Sequence, residues 1–152
     1  MGKKSFEKVI EIVRIKQVIT DAEMERQTIK SPDHAAEIAT NYIGDEDRKV
    51  FLVLVLNTKN EVIAVHRCHI GSINAAIVHP REVFKAAILN NGASIIVAHN
   101  HPSSNPMQSN EDVQVTKRLK EASLIMGIEL LDSLVVSDNP RNYVSLKEKG
   151  YL

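Results

Sequence analysis

Two histidines separated by one residue, His99 and His101, are the side chains of this sequence best suited to bind a metal ion. Residues i and i+2 of a β-strand face the same side, and the mainly apolar residues 93–98 before them predict a buried strand. Seven residues separate His101 from Ser109, and two more separate Ser109 from Asp112. Two imidazoles and one carboxylate leave a fourth tetrahedral position open, as in a catalytic zinc site.

The segment that begins at Ser109 has a second interpretation that needs no metal. Ser109 and Asp112 stand at the two positions of a capping box, in which an N-cap hydroxyl and an acid at N3 accept hydrogen bonds from backbone N–H groups. A capping box does not explain the paired histidines or their fixed distance from the acid. Both interpretations hold for Asp112 if one carboxylate oxygen caps the helix while the other binds metal.

Several segments of the chain closely resemble the RadC family, whose members belong to the JAMM (MPN-plus) metalloprotease-like superfamily. The similarity extends from about residue 31 to the C-terminus. It is most specific in the run His99-Asn100-His101-Pro102-Ser103 with the downstream Ser109 and Asp112. The other matching segments are Val78-His79-Pro80-Arg81-Glu82-Val83-Phe84, Gly71-Ser72 and Leu130-Leu131-Asp132. RadC proteins usually carry an N-terminal helix-hairpin-helix region, and we expect this chain to be too short for one.

The resemblance implies a fold, a chemistry and a set of site residues. The implied fold is the α/β sandwich of JAMM/MPN domains, with a cytidine-deaminase-like layout. The implied activity is zinc-dependent hydrolysis of amide or isopeptide bonds. His99, His101 and Asp112 are the implied ligands of one Zn²⁺ ion per chain, and Ser109 is the implied catalytic residue that hydrogen-bonds the reacting water or the developing oxyanion.

The general base of the superfamily is missing from its expected position. The base is a Glu, which in RadC-like sequences falls two residues before a Phe; here that Phe is Phe51, and Lys49 replaces the Glu. A unit positive charge ~5 Å from Zn²⁺ is repelled by roughly 6–7 kcal/mol at an effective dielectric constant near 20. Lys49 therefore points away, acts as a neutral base, or accompanies a weakened metal site. Glu46 is an alternative base, as is Asp47, which shares the strand parity of position 49.

Lys49 also favours an alternative function, a catalytically impaired binding module that keeps the JAMM fold. A third alternative is a DNA-repair-associated accessory protein, which is the traditional label of the family. The sequence has no segment typical of a DNA-binding motif, and its formal net charge of +0 argues against tight binding to phosphates. A second departure from the family is Ser133, which replaces a His after the Leu-Leu-Asp run, so a local hydrogen bond is expected to differ.

Length and composition indicate a single globular domain. The 152 residues are 43% hydrophobic, which is enough to bury a core. The single cysteine, Cys68, excludes an internal disulfide and fits a reducing compartment. The longest apolar run, residues 50–56, is far too short for a membrane span and no signal peptide is visible, so we expect a cytoplasmic protein. We assign residues 1–30 to an N-terminal strand and loop extension and residues 31–152 to a RadC-like domain.

Apolar periodicity and helix caps predict an α+β fold, an α/β sandwich in which a mixed β-sheet is flanked by helices. Three predicted helices, counted with their capping residues, cover residues 31–44, 80–92 and 109–127, and each ends at a Gly. Predicted strands cover residues 9–15, 50–56, 62–69, 93–98, 128–136 and 142–146, and the second and third of them form a hairpin.

Overall fold

In the part of the chain that the structure describes, helices pack on both faces of one five-stranded sheet. The computed structural model describes residues 7–13 and 26–152. The helices in these ranges are α1 (Pro32–Ile43), α2 (Pro80–Leu89) and α3 (Asn110–Met126). The strands are β1 (Val50–Leu56), β2 (Val62–Ile70), β3 (Ser94–Asn100), β4 (Glu129–Val136) and β5 (Val144–Ser145). The predicted fold class, a mixed sheet flanked by helices, is confirmed.

The strand order in the sheet is β2-β1-β3-β4-β5, which places β3 at the centre. β1 and β2 form the predicted hairpin, and β1 pairs antiparallel with β3 on its other side. β3 and β4 are parallel and are joined through α3, whereas β5 pairs antiparallel with β4. A parallel pair requires a crossover connection, and this crossover brings the start of α3 to the end of β3.

Both faces of the central strands are buried, because helices cover the sheet on both sides. The odd-numbered residues of β1 and β3 pack with α2 and α3 in one core, which includes Val97 and Leu119. The even-numbered residues pack with α1 in a second core, which includes Ala98. By the same alternation, His99 faces the side of α3 and Asn100 faces the side of α1.

The helix caps predicted from the sequence are present at α1 and α3. Ser31 precedes α1, and its side chain accepts a hydrogen bond from the backbone N–H of His34 at 3.3 Å. α3 ends at Gly127, whose φ of 68° lies in the left-handed region that glycine adopts without steric cost. These local signals therefore define the start of α1 and the end of α3, the helix that carries Asp112.

Two predicted elements, α2 and the last strand, are shorter in the structure, and the boundaries of the other elements from residue 31 onward differ by at most two residues. α2 ends at Leu89 rather than near Gly92, because Asn90 takes the C-cap position. The last predicted strand, residues 142–146, is reduced to the short β5, since the backbone N–H of Asn142 closes a turn with the Asn139 carbonyl at 2.9 Å. Polar residues that cap or turn the chain outweigh the apolar pattern at both places.

The strand predicted at residues 9–15 is wrong over the part that is described. Residues 9–13 have no regular secondary structure and are exposed, and residues 14 and 15 lie outside the described residues. From residue 26 onward, the predicted loop over residues 20–30 is present apart from one antiparallel bridge between Thr28 and Glu61. An apolar pattern produces a strand only where a neighbouring strand pairs with it. In the described part of the chain, no helix is long and apolar enough to cross a membrane.

Candidate metal centre

The carboxyl end of β3 positions both histidines. His99 lies opposite Phe51 on β1 and Val135 on β4, so neighbouring strands hold it on both sides, and it is 2% exposed. His101 lies just past the end of β3, where its backbone N–H donates to the Val136 carbonyl at 3.1 Å and extends the parallel pairing. The two imidazole rings are neighbours as a result, with centroids 5.1 Å apart.

The first turn of α3 supplies the carboxylate. The hydroxyl of Ser109 accepts a hydrogen bond from the Asp112 N–H at 3.1 Å, and Oδ2 of Asp112 accepts one from the Ser109 N–H at 2.8 Å. This reciprocal pair is the predicted capping box. It fixes the side chain of Asp112, which is 2% exposed, with its carboxylate toward the histidines.

His99, His101 and Asp112 converge as their spacing predicts. Nε2 of His99 lies 3.0 Å from Oδ1 of Asp112, and Nε2 of His101 lies 3.2 Å from Oδ2. Each residue offers one ligand atom, and these atoms lie within 4.8 Å of one another. Ligand atoms bound to zinc at ~2.0–2.1 Å in a tetrahedron are roughly 3.4 Å apart, and the 3.0 Å between Nε2 of His99 and Oδ1 of Asp112 is close to that value.

The histidine nitrogens that face the carboxylate lack hydrogen bonds of good geometry. Nε2 of His99 and Nε2 of His101 are buried, and neither forms a hydrogen bond with any described residue, although both are close to Asp112. The carboxylate is their only close polar neighbour among the described residues, and a bound cation would satisfy both nitrogens and the carboxylate together. Two imidazole nitrogens and a carboxylate suit Zn²⁺, so the residues present fit the ion that the sequence resemblance implies.

Different contacts orient the two rings. Nδ1 of His101 lies 2.9 Å from the Asn105 carbonyl, which can only accept, so Nδ1 carries a proton and Nε2 of the neutral ring presents its lone pair to the cluster. Second partners of this kind fix the orientation of metal-binding histidines. Nδ1 of His99 has no such partner among the described residues, and the ring instead lies parallel to Phe51, at an interplanar angle of 7°.

The charges in the cluster shift the pKa values of two of its side chains. Burial alone would raise the pKa of Asp112, but the contacts with His101 and His99 and the hydrogen bond from Ser109 hold it well below its usual range. The contact with Asp112 raises the pKa of His101, whereas burial and the positive charge of Lys49 oppose that rise. Without metal, the cluster therefore pairs an anionic carboxylate with a histidine that binds a proton readily, and a metal ion must displace that proton.

The three candidate bases lie on the segment between α1 and β1. Lys49 immediately precedes β1 and is exposed, so solvent screens its charge and the repulsion calculated from its sequence position is too large. Phe51 lies opposite His99 in the antiparallel register of β1 and β3, so Lys49, two residues before Phe51, comes near His101, two residues after His99, and its charge opposes proton binding there. Glu46 and Asp47 are exposed and also precede the strand, so the predicted strand parity between Asp47 and Lys49 does not exist.

Sequence reasoning missed Asn100, which stands between the two histidines and points to the opposite face of β3. Asn100 is buried, with 1% of its surface exposed. Oδ1 accepts a hydrogen bond from the Val50 N–H at 2.7 Å, and Nδ2 donates to the carbonyls of Arg48 at 2.9 Å and Glu46 at 3.2 Å. A buried amide must form hydrogen bonds. An Asn at the end of a predicted buried strand is therefore the sequence feature that could have identified Asn100.

Ser133, at the position where the family usually has a His, lies on β4. Its hydroxyl accepts a hydrogen bond from Oγ1 of Thr116 on α3 at 2.8 Å, and both side chains are buried. The neighbouring Asp132 accepts hydrogen bonds from the Ser133 N–H and the Ser145 hydroxyl, and burial raises the pKa of its carboxyl. Ser133 thus connects β4 to the helix that carries Asp112.

The sequence matches to known proteins extend over almost all of the residues that form the sheet and the helices. The family model of the RadC-like JAB domain matches residues 29–151. A UPF0758 protein of Shouchella clausii is 46% identical over 136 residues, which are 90% of this chain and 58% of the relative. A UPF0758 protein of a Geobacillus strain is 51% identical over 127 residues, which are 84% of this chain and 55% of the relative.

A third relative, the UPF0758 protein YsxA of Bacillus subtilis, is 49% identical over 131 residues, which are 86% of this chain and 56% of the relative. The chain thus spans little more than half of the length of the relatives it matches. Their names state no activity.

Proposed function

The chain belongs to the RadC-like JAB domain family, and on this basis we propose that it is a zinc-dependent hydrolase of amide or isopeptide bonds. The observation that supports the proposal is the convergence of His99, His101 and Asp112, with two buried Nε2 atoms that have no hydrogen bond among the described residues. In this proposal the three side chains hold one Zn²⁺ ion per chain. Residues 31–152 form the catalytic domain, and residues 1–30 form an extension to it.

Each side chain of the site has a part in the proposed reaction. His99 and His101 supply neutral nitrogen ligands, and Asp112 supplies the negative charge, with its carboxylate held by the capping box. A bound zinc ion would lower the pKa of a water molecule and polarise the substrate carbonyl. The hydroxyl of Ser109 accepts its hydrogen bond from the Asp112 N–H, so its own O–H is left to donate to the attacking water or the developing oxyanion.

The attacking water must also give up a proton, and the acceptor is the weakest part of the site. The family has a carboxylate at the position of Lys49, and general base catalysis typically contributes ~10²–10⁴-fold. Lys49 in its neutral form, Glu46 and Asp47 are the candidate acceptors. Lys49 is the one whose charge acts on a ligand, His101. A domain without an efficient base hydrolyses slowly, even if its zinc site is intact.

Lys49 is therefore also the observation that favours a second candidate function. A metal-binding domain that lacks a carboxylate base can still bind a peptide or protein through the exposed side of its site. In that case the domain is a catalytically impaired binding module.

The test combines elemental analysis of the purified protein with cleavage assays on peptide and isopeptide substrates, in zinc and in chelator. His101→Ala is compared with His79→Ala, a matched control, because His79 is outside the cluster and its side chain makes no cap hydrogen bond. A hydrolase binds one zinc and cleaves substrate, and His101→Ala alone abolishes both. Zinc binding without cleavage indicates the binding module, and a wild-type protein that takes up no zinc refutes the hydrolase. A DNA-associated accessory protein is distinguished by DNA binding that weakens with salt.

A further inference from the structure

The side chain of Asn100 holds the backbone on both sides of Lys49. Its Nδ2 donates to the Arg48 carbonyl, which belongs to the peptide unit before residue 49. Its Oδ1 accepts from the Val50 N–H, which belongs to the peptide unit after residue 49. The orientation of the amide is determined by these partners, because a carbonyl can only accept and an N–H can only donate.

A third hydrogen bond comes from Gly71, the residue that immediately follows β2. The Gly71 N–H donates to the Lys49 carbonyl at 2.7 Å. Both peptide units that flank the α-carbon of residue 49 are thus bonded to parts of the sheet, although residue 49 itself precedes β1. An exposed residue in irregular backbone would otherwise be free to move. Here three hydrogen bonds hold the two peptide units that flank residue 49.

Both faces of β3 therefore contribute to the site. His99 on one face faces α3 and Asp112, whereas Asn100 on the other face fixes the segment that ends at Lys49. Alternation along β3 makes these two roles adjacent in sequence. A change in the position of β3 would move the ligands and residue 49 together.

We infer that Asn100 is a positioning residue, which holds the side chain at position 49 next to the metal cluster. The inference rests on the proposed function, because position 49 matters to the chemistry only if the cluster binds a metal ion. Asn100 has no contact with the metal in this scheme and acts through residue 49. The alternative is that Asn100 merely satisfies buried backbone groups and has no effect on what residue 49 does.

A double-mutant cycle on cobalt affinity separates these two roles. Lys49→Glu replaces a positive charge near the cluster by a negative one, and we expect it to raise Co²⁺ affinity about tenfold in the wild-type background. If Asn100 positions residue 49, the gain in Co²⁺ affinity from Lys49→Glu falls below about twofold in the Asn100→Ala background. The milder Asn100→Ser should give the same result and replaces the alanine variant if that variant fails to fold. The matched control is Ser145→Ala, which removes a buried hydrogen bond to Asp132 and should keep the tenfold gain.

The outcomes are distinct. An equal gain in the Asn100 variants and in Ser145→Ala overturns the inference, as does a Lys49→Glu change that leaves Co²⁺ affinity unaltered in the wild-type background. If the wild-type protein binds no metal, the proposed function fails. The positioning role of Asn100 is then tested by the rate of hydrogen exchange at the Gly71 amide. Faster exchange in Asn100→Ser than in Ser145→Ala supports positioning, because Gly71 bonds to Lys49 and not to Asn100. Equal exchange overturns it.

Discussion

Oδ1 of Asp112 lies 3.0 Å from Nε2 of His99, although the two residues come from different elements of the fold. His99 is held by strand pairing with both β1 and β4, and Asp112 is held by the capping box of α3. Each side chain is fixed by its own element before any ligand binds. A site of this kind requires little ordering when a metal ion enters, which favours binding.

His101→Ala should abolish zinc binding, because it removes one of three protein ligands. Zinc that binds only the folded state stabilises the wild-type protein by about 2.7 kcal/mol at ~100 times Kd, and this stabilisation is lost in the variant. For a domain of this size the difference is about 5–10 °C in Tm. The measurement is thermal unfolding with zinc and with chelator, with His79→Ala as the control. Unchanged zinc stoichiometry in His101→Ala contradicts the assignment.

Asp112→Asn should weaken zinc binding far more than Ser109→Ala does. The carboxylate supplies the negative charge of the site, whereas the Ser109 hydroxyl accepts a hydrogen bond from the Asp112 backbone N–H and is not one of the three proposed metal ligands. We expect a loss of more than about 100-fold for Asp112→Asn and of about tenfold or less for Ser109→Ala. Both variants lose part of the capping box, worth about 1 kcal/mol, so the free energy of unfolding must be measured beside affinity. The roles are wrongly assigned if Ser109→Ala removes the metal while Asp112→Asn retains it.

The pH dependence of stability should reverse its direction when zinc is added. The pKa of His101 is raised above 6.5 in the folded protein, so without metal its stabilising effect is complete below pH 6.5 and is lost as the pH rises through the folded pKa. The pKa of Asp112 is lowered from 3.8, so its effect is present above pH 3.8 and is lost as the pH falls through the folded pKa. With zinc, the proton on His101 competes with the metal, so stabilisation increases as the pH rises.

The measurement is the difference in Tm between the wild-type protein and His101→Ala at about pH 5.5 and about pH 8.5, on either side of the ordinary histidine pKa. In chelator the difference should shrink from the lower to the higher pH, and in zinc it should grow. If the Tm difference changes with pH in the same direction in chelator and in zinc, the His101–Asp112 ion pair and the metal site are not both as described.

Local signals explain why most of the fold and the convergence of His99, His101 and Asp112 could be predicted from the sequence. The apolar run that predicts β3 is a property of consecutive residues, and the alternation of side chains along a strand places His99 and His101 on one face. The capping box and the left-handed Gly127 are defined within a few residues of the helix they end. The convergence of His99 with Asp112 follows from the crossover between two parallel strands, which the order of elements already implies.

The features that could not be predicted depend on long-range pairing. The side chain of Asn100 bonds to the backbone of Val50, a residue fifty positions earlier in the chain, and only the register of β1 against β3 brings them together. The irregular segment with Glu46 and Asp47 has no periodicity from which its geometry could be inferred. The apolar residues 9–13 satisfy a strand pattern, but the pattern cannot show whether a neighbouring strand pairs with them.

Lys49→Glu should raise both zinc affinity and hydrolysis, whereas Lys49→Gln should raise zinc affinity alone. Both variants remove the positive charge that opposes proton binding at His101 and that repels a metal ion. Only the glutamate adds a carboxylate able to accept the proton of the attacking water, and we expect a gain in turnover of ~10²–10⁴-fold from it. The measurement pairs zinc affinity with peptidase turnover in the wild-type protein and both variants. If the wild-type protein hydrolyses efficiently and Lys49→Glu impairs it, either Lys49 or Glu46 is the working base, and the position is not a defect of the site.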